Sequence, residues 1–200
     1  MQRNFGSAFG LRCRALIGLL ALALSGAAFA QDGGAETTRV RVQTTLGSFV
    51  IELDTARAPL TVANFLEYVR DGHYSGTLFH RVINGFVAQA GGYDEKYVEK
   101  TTRAGIPNES GNGLSNRRGT IGLARTGAPH SGTAQFYVNL ADNPALDPQA
   151  SRWGYAVFGR VVEGMKVVDD IGGVATGAAG TFEKDVPLRP VVIQKIEVMQ

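Results

Sequence analysis

The sequence predicts a mainly β domain in which eight short strands form a closed antiparallel barrel and two helices cover its ends. Many short segments alternate apolar and polar side chains, and turns separate them in a chain that has 26 glycines among its 200 residues. Only two segments have helical spacing, and no spacing between strands is long enough for repeated βαβ units. An antiparallel sheet closed on itself leaves no exposed strand edge, which favours a barrel.

The first 30 residues have the layout of a secretory signal peptide. Arg3, Arg12 and Arg14 precede the apolar run 15–24, and residues 28–30 read Ala-Phe-Ala. This pattern predicts cleavage after Ala30 and export to the periplasm. A single transmembrane anchor is the alternative, but the run is too short to span a bilayer.

Removal of the leader changes the charge and the cysteine count. The leader carries three arginines and no acidic residue, so 17 Lys and Arg residues remain against 18 Asp and Glu, a net charge of −1. A mature chain with this balance lacks the excess of positive charge that is typical of nucleic-acid-binding proteins. Cys13 is the only cysteine and lies in the leader, so we expect no disulfide and no thiol chemistry. Residues 31–38 form a flexible polar tail, and residues 39–200 form the folded domain.

The domain begins with a hairpin and a helix. Apolar residues alternate with polar ones on both sides of a turn near residues 46–47, at Val40 and Val42 and then at Phe49, Ile51 and Leu53. Pro59 can occupy the first turn of a helix. Apolar residues then follow at helical spacing, and they are Val62, Phe65, Leu66 and Val69. We therefore expect a helix of about three turns with this stripe on the core.

The remaining elements follow from the same patterns. Strands are predicted at 79–83, 86–89, 119–124, 135–140, 155–162 and 191–198, and a short helix at 165–171. The polar segment 93–116 is long for a connection and predicts a structured or functional loop. The segment 172–187 is rich in Gly and Ala and predicts a mobile surface loop.

The segment 79–92 carries the candidate site. It is an apolar run interrupted by Arg81 and Gln89, which share a strand parity that Phe86 does not. A break at residues 84–85 can bring all three side chains onto one surface. The alternative is that Arg81 is a solvated residue on an edge strand.

Common catalytic signatures are absent from the sequence. It contains no G-x-S-x-G, H-E-x-x-H, P-loop or G-x-G-x-x-G motif. His73, His80 and His130 lack the spacing of metal ligands, so we predict no metal site. Ser131 follows His130, but adjacent residues rarely point together, and a polar loop is the favoured interpretation.

Five motifs resemble the cyclophilin-type peptidyl-prolyl cis-trans isomerases, and they occur in the same order as in that family. They are F-H-R-V-I-N-G-F-V-A-Q-A-G-G (79–92), G-T-I-G-L-A-R-T-G (119–127), S-G-T-A-Q-F-Y-V-N (131–139), N-P-A-L-D (143–147) and Y-A-V-F-G-R-V-V-E-G-M (155–165). The resemblance covers residues 40–198, and with the leader it is similar to the exported bacterial branch. It implies a closed eight-stranded barrel and catalysis of rotation about Xaa-Pro bonds, with no cofactor and no covalent step.

The resemblance also implies roles for individual residues. Arg81, Phe86 and Gln89 match the catalytic positions, with Gln89 orienting Arg81. Seven further residues match substrate-binding positions of the groove, and they are His80, Val87, Ala124, Arg125, Tyr137, Leu146 and Tyr155. Ala145 stands where the eukaryotic branch commonly has a tryptophan that contributes to cyclosporin binding, so we expect weak cyclosporin sensitivity.

The sequence therefore predicts a periplasmic, monomeric isomerase that assists the folding of exported proteins. Its partners are proline-containing unfolded or exported polypeptides, with no nucleic acid and no membrane insertion after cleavage. A binding module that captures proline-containing segments, with incidental catalysis, is the alternative. A secreted hydrolase is a third class, but the sequence supports no nucleophile for it.

Overall fold

A computed structural model describes residues 38–199, and the predicted leader and residues 31–37 of the tail lie outside them. The described residues form ten strands, two α-helices and one short 3₁₀ helix, Pro144–Leu146. The strands are β1 (Arg39–Thr44), β2 (Gly47–Leu53), β3 (Thr77–Ile83), β4 (Val87–Asp94), β5 (Thr120–Leu123), β6 (Phe136–Asn139), β7 (Val157–Glu163), β8 (Thr176–Ala179), β9 (Phe182–Pro187) and β10 (Val192–Val198). The helices are α1 (Pro59–Arg70) and α2 (Met165–Gly172).

Eight of these strands form a closed barrel in the order β1-β10-β3-β4-β6-β5-β7-β2, which returns to β1. Every pairing in the barrel is antiparallel. The predicted fold class, a mainly β protein with a closed eight-stranded antiparallel barrel and two helices, is confirmed. Neither helix in the described part of the chain is long and apolar enough to cross a membrane.

The first hairpin shows how the alternation of apolar and polar residues determines the register of the barrel strands. Val40 and Val42 of β1 are fully buried, and Val42 lies opposite Phe49 of β2 on one side and Ile196 of β10 on the other. Their polar neighbours face outward. A register slip of one residue would move this apolar set to the solvent face, so burial specifies the pairing.

Helix α1 contributes its predicted stripe to the barrel core. Phe65 is buried and packs against Phe136 of β6 and Phe158 of β7, with ring centroids 5.6 and 5.3 Å apart. The start of the helix is capped from a distance, because the Glu109 carboxylate accepts hydrogen bonds from the Leu60 and Thr61 backbone N–H groups at 3.1 and 2.8 Å. A carboxylate at a helix N-terminus satisfies unpaired N–H donors and interacts favourably with the positive end of the helix dipole. This contact ties the long segment 93–116 to the barrel.

The prediction of a mobile surface loop at 172–187 is wrong for most of that segment. Strands β8 and β9 pair there as an antiparallel hairpin outside the barrel. Phe182 anchors the hairpin, because its ring packs on Tyr93 at 4.9 Å and on His80 at 5.7 Å. The Gly- and Ala-rich composition hid this hairpin, because only a few residues, among them Phe182 and the buried Val186, supply its packing.

His80 lies beneath this hairpin and is only 2% exposed. Its ring also packs on Tyr93 at 4.7 Å, and its Nδ1 has no hydrogen-bond partner among residues 38–199. Burial lowers the pKa of His80 from 6.5 to about 4, because the charged form loses its hydration, and the neighbouring Arg81 charge acts in the same direction.

This buried imidazole predicts that acid destabilises the fold. The unfolded chain binds a proton near pH 6.5 that the folded chain does not bind until about pH 4, so stability is complete above pH 6.5 and falls as the pH decreases through that window. We expect His80 to lower the free energy of unfolding by about 2 kcal/mol between pH 7 and pH 5. Urea unfolding at the two pH values measures this change.

The matched control is His80→Phe, which keeps an aromatic ring under the hairpin but cannot titrate. In this variant the difference between pH 7 and pH 5 should shrink by about 2 kcal/mol. An equal loss in the wild type and the variant would assign the acid sensitivity to other groups.

Candidate functional site

The charged part of the candidate site lies on β3 and β4. Arg81 and Gln89 are direct cross-strand partners, and the Arg81 Nη1 donates a long hydrogen bond of 3.5 Å to the Gln89 Oε1. Gln89 in turn donates from Nε2 to the Gln135 Oε1 at 2.9 Å. The two glutamines thus connect the guanidinium to the chain that enters β6, and they restrict its position without neutralising it.

A β-bulge in β3 determines which way Arg81 faces. Phe79 lies opposite Ala90 and Arg81 lies opposite Gln89, so two residues of β3 span one residue of β4. A bulge of this kind changes the alternation of side chains. Phe79 is therefore buried in the core, while Arg81 remains partly exposed.

Phe86 lies in the turn between these strands. The turn begins at Ile83, whose carbonyl accepts the Phe86 N–H at 3.0 Å. The Phe86 carbonyl accepts from the Leu140 N–H and from the Asn143 Nδ2, both at 2.9 Å. These bonds fix Phe86, whose side chain is partly exposed, against the segment that follows β6.

Tyr137 forms the next part of the site, on β6. It lies opposite Gln89 of β4 and Gly122 of β5, and it is only 4% exposed. A Cβ at Gly122 would overlap the Tyr137 ring, so the ring requires glycine beneath it. The Tyr137 hydroxyl donates to the Asn116 Oδ1 at 2.6 Å, and burial raises the pKa of this phenol well above its ordinary value.

Asn116 belongs to a buried network of asparagine amides behind Tyr137. The Asn139 Nδ2 donates to the Asn116 Oδ1 at 3.2 Å, and the Asn143 Nδ2 donates to the Asn139 Oδ1 at 2.7 Å and to the Phe86 carbonyl at 2.9 Å. Asn116 also donates to the Asp147 carboxylate at 2.8 Å, beside Leu146. The network joins the Phe86 turn, the Tyr137 ring and the 3₁₀ helix into one unit.

One flank of the site is formed by Arg125 and Tyr155. The Arg125 guanidinium lies over the Tyr155 ring at 4.6 Å, and the Tyr155 ring meets the Tyr137 ring edge-on at 6.1 Å. The Tyr155 N–H donates to the Leu146 carbonyl at 2.9 Å, and the Ala124 N–H donates to the Gln135 carbonyl at 2.9 Å. Hydrogen bonds and ring contacts therefore link these predicted groove residues to the rest of the site.

The structure brings most of the sequence-predicted residues together and buries His80 beside them. Strand pairing, hydrogen bonds or ring contacts connect nine of them, and they are Arg81, Phe86, Val87, Gln89, Ala124, Arg125, Tyr137, Leu146 and Tyr155. His80 lies beneath the β8–β9 hairpin and presents almost no surface. His80 also approaches Gln135, the hydrogen-bond partner of Gln89, and its predicted position flanking the groove stays a prediction.

Sequence reasoning missed Gln135 and the three asparagines. A signal for Gln135 was present, since it precedes Tyr137 by two residues and so shares its face of an extended chain. The asparagines gave no comparable signal, because polar residues at strand ends are common and their partners are distant in sequence.

The arrangement offers a fixed cation beside partly buried aromatic and aliphatic groups.

The residues Ser131 and His130 lie in a separate loop. The Ser131 hydroxyl donates to the Ala128 carbonyl and accepts from the Thr126 N–H, while the His130 Nδ1 accepts from the Asn108 N–H. These bonds agree with the interpretation of 130–131 as a polar loop. Within residues 38–199 no group of three or more His, Cys, Asp or Glu side chains is placed to hold a metal ion.

The close approach of Tyr137 to Gly122 generates a prediction. Gly122→Ala should displace the ring and break its hydrogen bond to Asn116, which should lower the free energy of unfolding by about 1–3 kcal/mol. Urea unfolding measures the loss. Gly127→Ala is the matched control, because a Cβ there meets open space. Equal stability of the two variants would show that the Tyr137 ring does not depend on glycine at position 122.

Comparison with known proteins places this site in a family. The family profile described as "Cyclophilin type peptidyl-prolyl cis-trans isomerase/CLD" matches residues 39–198. Peptidyl-prolyl cis-trans isomerase cyp18 of Streptomyces antibioticus is 50% identical over 163 residues, which cover 80% of this chain and 98% of the relative. Peptidyl-prolyl cis-trans isomerase B of Escherichia coli K12 is 49% identical over 164 residues, which cover 80% of this chain and 99% of the relative.

A longer match and a solved structure extend the comparison. Peptidyl-prolyl cis-trans isomerase A of Dickeya dadantii is 43% identical over 186 residues, which cover 93% of this chain and 96% of the relative. The crystal structure of a Cryptosporidium parvum cyclophilin-type isomerase, obtained in the presence of the dipeptide Ala-Pro, has a TM-score of 0.67 at 23% identity and covers 81% of this chain and 99% of that one. At this identity the structural match supports the fold. The sequence matches, the barrel and the order of the motifs show together that this chain belongs to the cyclophilin-type peptidyl-prolyl cis-trans isomerase family and is an enzyme of that class.

Proposed function

We propose that this isomerase acts on proline-containing polypeptides exported to the periplasm, and that Arg81, Phe86 and Gln89 carry the catalysis. The observation that carries the assignment of residues is the chain of hydrogen bonds from Arg81 through Gln89 to Gln135, which positions a guanidinium on the hairpin whose turn carries the partly exposed Phe86. No step of this function requires a cofactor or a metal.

The electrostatic half of the mechanism follows from the chemistry of the amide. Rotation about a peptide bond has a barrier of about 18–20 kcal/mol, because the nitrogen lone pair is delocalised into the carbonyl. As the Xaa-Pro bond twists, the nitrogen becomes pyramidal and its lone pair becomes a hydrogen-bond acceptor. A guanidinium aimed at that position binds the twisted amide more strongly than either planar isomer, which is the differential binding that lowers a barrier.

Arginine and glutamine suit these roles. The guanidinium remains charged at any working pH, and its planar fork presents several donors in fixed directions. Gln89 can therefore accept from Arg81 while other donors of the fork face the substrate. One such donor contributes about 3 kcal/mol, so the rest of the acceleration must come from holding and desolvating the proline.

The apolar half holds the proline ring. Phe86, Val87, Tyr137 and Leu146 form the proposed pocket, and the asparagine network fixes its shape from behind. Ala124, Arg125 and Tyr155 lie beside the pocket, where the residue preceding proline would bind. An apolar wall next to the amide removes water that would otherwise compete with Arg81 for the nitrogen lone pair.

Substitution of Arg81 tests the catalytic assignment. Arg81→Ala should lower kcat/KM for an Ala-Pro peptide by about 10²–10³, the cost of one preorganised donor. Exchange NMR on the peptide measures the rate directly. Arg117→Ala is the matched control, because Arg117 is an exposed arginine in the connection before β5. Full activity of Arg81→Ala would contradict the proposed role of Arg81.

The same variants separate catalysis from simple binding. A module that captures proline-containing segments would keep its protection of an unfolded client in Arg81→Ala and lose it in Phe86→Ala. If the Arg81 guanidinium lowers the rotational barrier, Arg81→Ala should lose isomerase activity while it still binds the client. Client aggregation measured by light scattering, beside the NMR rates, distinguishes the two.

Three features support an exported, monomeric enzyme. The leader pattern precedes the domain, and the match to the Dickeya dadantii relative extends beyond the boundaries of the family profile. The eight barrel strands have no open sheet edge for pairing with a second copy, which leaves only the short β8–β9 hairpin outside the closed sheet. After cleavage of the leader, no insertion into the membrane is proposed.

Export has its own test. Expressed in a Gram-negative bacterium, the full chain should be recovered from the periplasmic fraction, with an N-terminus at Gln31 by mass spectrometry. A chain that starts with Met followed by Gln31 should remain in the cytoplasm with the same specific activity. Cytoplasmic recovery of the full chain with an intact leader would reject the proposed location while leaving the isomerase assignment in place.

A further inference from the structure

Trp153 lies next to the proposed groove and is 46% exposed. Its own carbonyl accepts a 2.6 Å hydrogen bond from the Arg125 Nη2, and it precedes the groove residue Tyr155 by two positions. A large aromatic side chain left half in water beside a binding groove has apolar surface available for a partner.

The backbone that carries Trp153 is fixed from two sides. The Gly154 carbonyl accepts from the Arg125 Nε and from the Asn108 Nδ2, both at 3.1 Å. A Cβ at Gly154 would overlap the backbone of Asp147 and Pro148, so this glycine packs directly on the chain that follows Leu146. The position of Trp153 is thereby set relative to Arg125 and to the chain that follows Leu146.

The indole ring itself is in contact with the His130 ring. The two rings meet at 69° with centroids 5.2 Å apart, and the His130 Nδ1 accepts the Asn108 N–H at 3.0 Å. Asn108 therefore supports both the Trp153 backbone and the ring that packs against the indole. A side chain that is already ordered loses little conformational entropy on binding, which favours it as an anchor.

The neighbourhood of Trp153 favours an apolar occupant. The Arg125 donors are directed at the carbonyls of Thr126, Trp153 and Gly154, and its guanidinium face is stacked on Tyr155. Three of its five N–H donors are thus engaged within the protein, so Arg125 serves to order the backbone that carries the exposed indole.

Trp153 lies two residues from the proposed groove residue Tyr155. Cα atoms two residues apart are at most about 7 Å apart, and an extended peptide covers that distance in two to three residues. We propose that Trp153 forms an outer subsite of the groove that receives a large apolar or aromatic side chain of the client within a few residues of the proline. The proposal rests on the proposed function, because the groove itself must bind the Xaa-Pro segment.

The test compares a short Ala-Pro peptide of alanines with peptides in which one flanking alanine, at successive positions on either side, is replaced by phenylalanine. At one position the phenylalanine should raise kcat/KM by about fivefold, the size expected for one aromatic contact. The higher kcat/KM should come from a lower KM with kcat unchanged, because a contact away from the amide stabilises the planar and twisted states equally. Because Trp153 is the only tryptophan in the chain, that peptide should also change the intrinsic fluorescence at 295 nm excitation on saturation.

Trp153→Ala should reduce the preference for the phenylalanine peptide to about onefold, and Trp153→Phe should retain most of it. Leu188→Ala, which removes another exposed apolar side chain, should leave the preference as in the wild type. A preference that survives in Trp153→Ala, or no preference at any position, would overturn the subsite. Failure of the wild type to isomerise even the alanine peptide would reject the proposed function instead.

Discussion

Hydrogen bonds among three buried asparagines hold the Phe86 turn and the Tyr137 ring of the candidate site in place. Asn116, Asn139 and Asn143 are each less than 10% exposed, and their amides bond to one another, to the Tyr137 hydroxyl and to the Phe86 carbonyl. Loss of one member would leave a buried polar partner unsatisfied, at a cost of about 1–3 kcal/mol. The network therefore fixes the turn, the ring and the 3₁₀ helix as one rigid body, on which the shape of the apolar pocket depends.

The charged half of the site uses a different device. A β-bulge before Arg81 turns this residue out of the core, and cross-strand pairing then sets it opposite Gln89. Gln89 also lies opposite Tyr137, so one residue of β4 adjoins both the cation and the pocket. Arg81 is partly buried, and a partly buried guanidinium is less hydrated and exerts a stronger local field than one free in solvent.

The barrel wall at Arg81 is supported from outside as well as from the core. His80 lies under the β8–β9 hairpin, where Phe182 and Tyr93 cover it, while Phe79 and Val82 fill the barrel interior. Packing on both faces restrains β3 on each side of Arg81. The same burial leaves an imidazole that resists protonation, which links the rigidity of this strand to pH.

The sequence by itself determined the barrel strands, helix α1 and the matching motifs, because alternation and helical spacing report burial from local order alone. It also selected Arg81, Phe86 and Gln89 as one unit. Tertiary structure decided the bulge, the burial of His80, the partner of Tyr137 and the hairpin at 172–187. The partner of Tyr137 and the cover over His80 come from distant parts of the chain: Asn116 is 21 positions from Tyr137, and Phe182 is about a hundred positions from His80. Periodicity carries no information about such pairs, because only the packing of separate segments against each other brings them into contact.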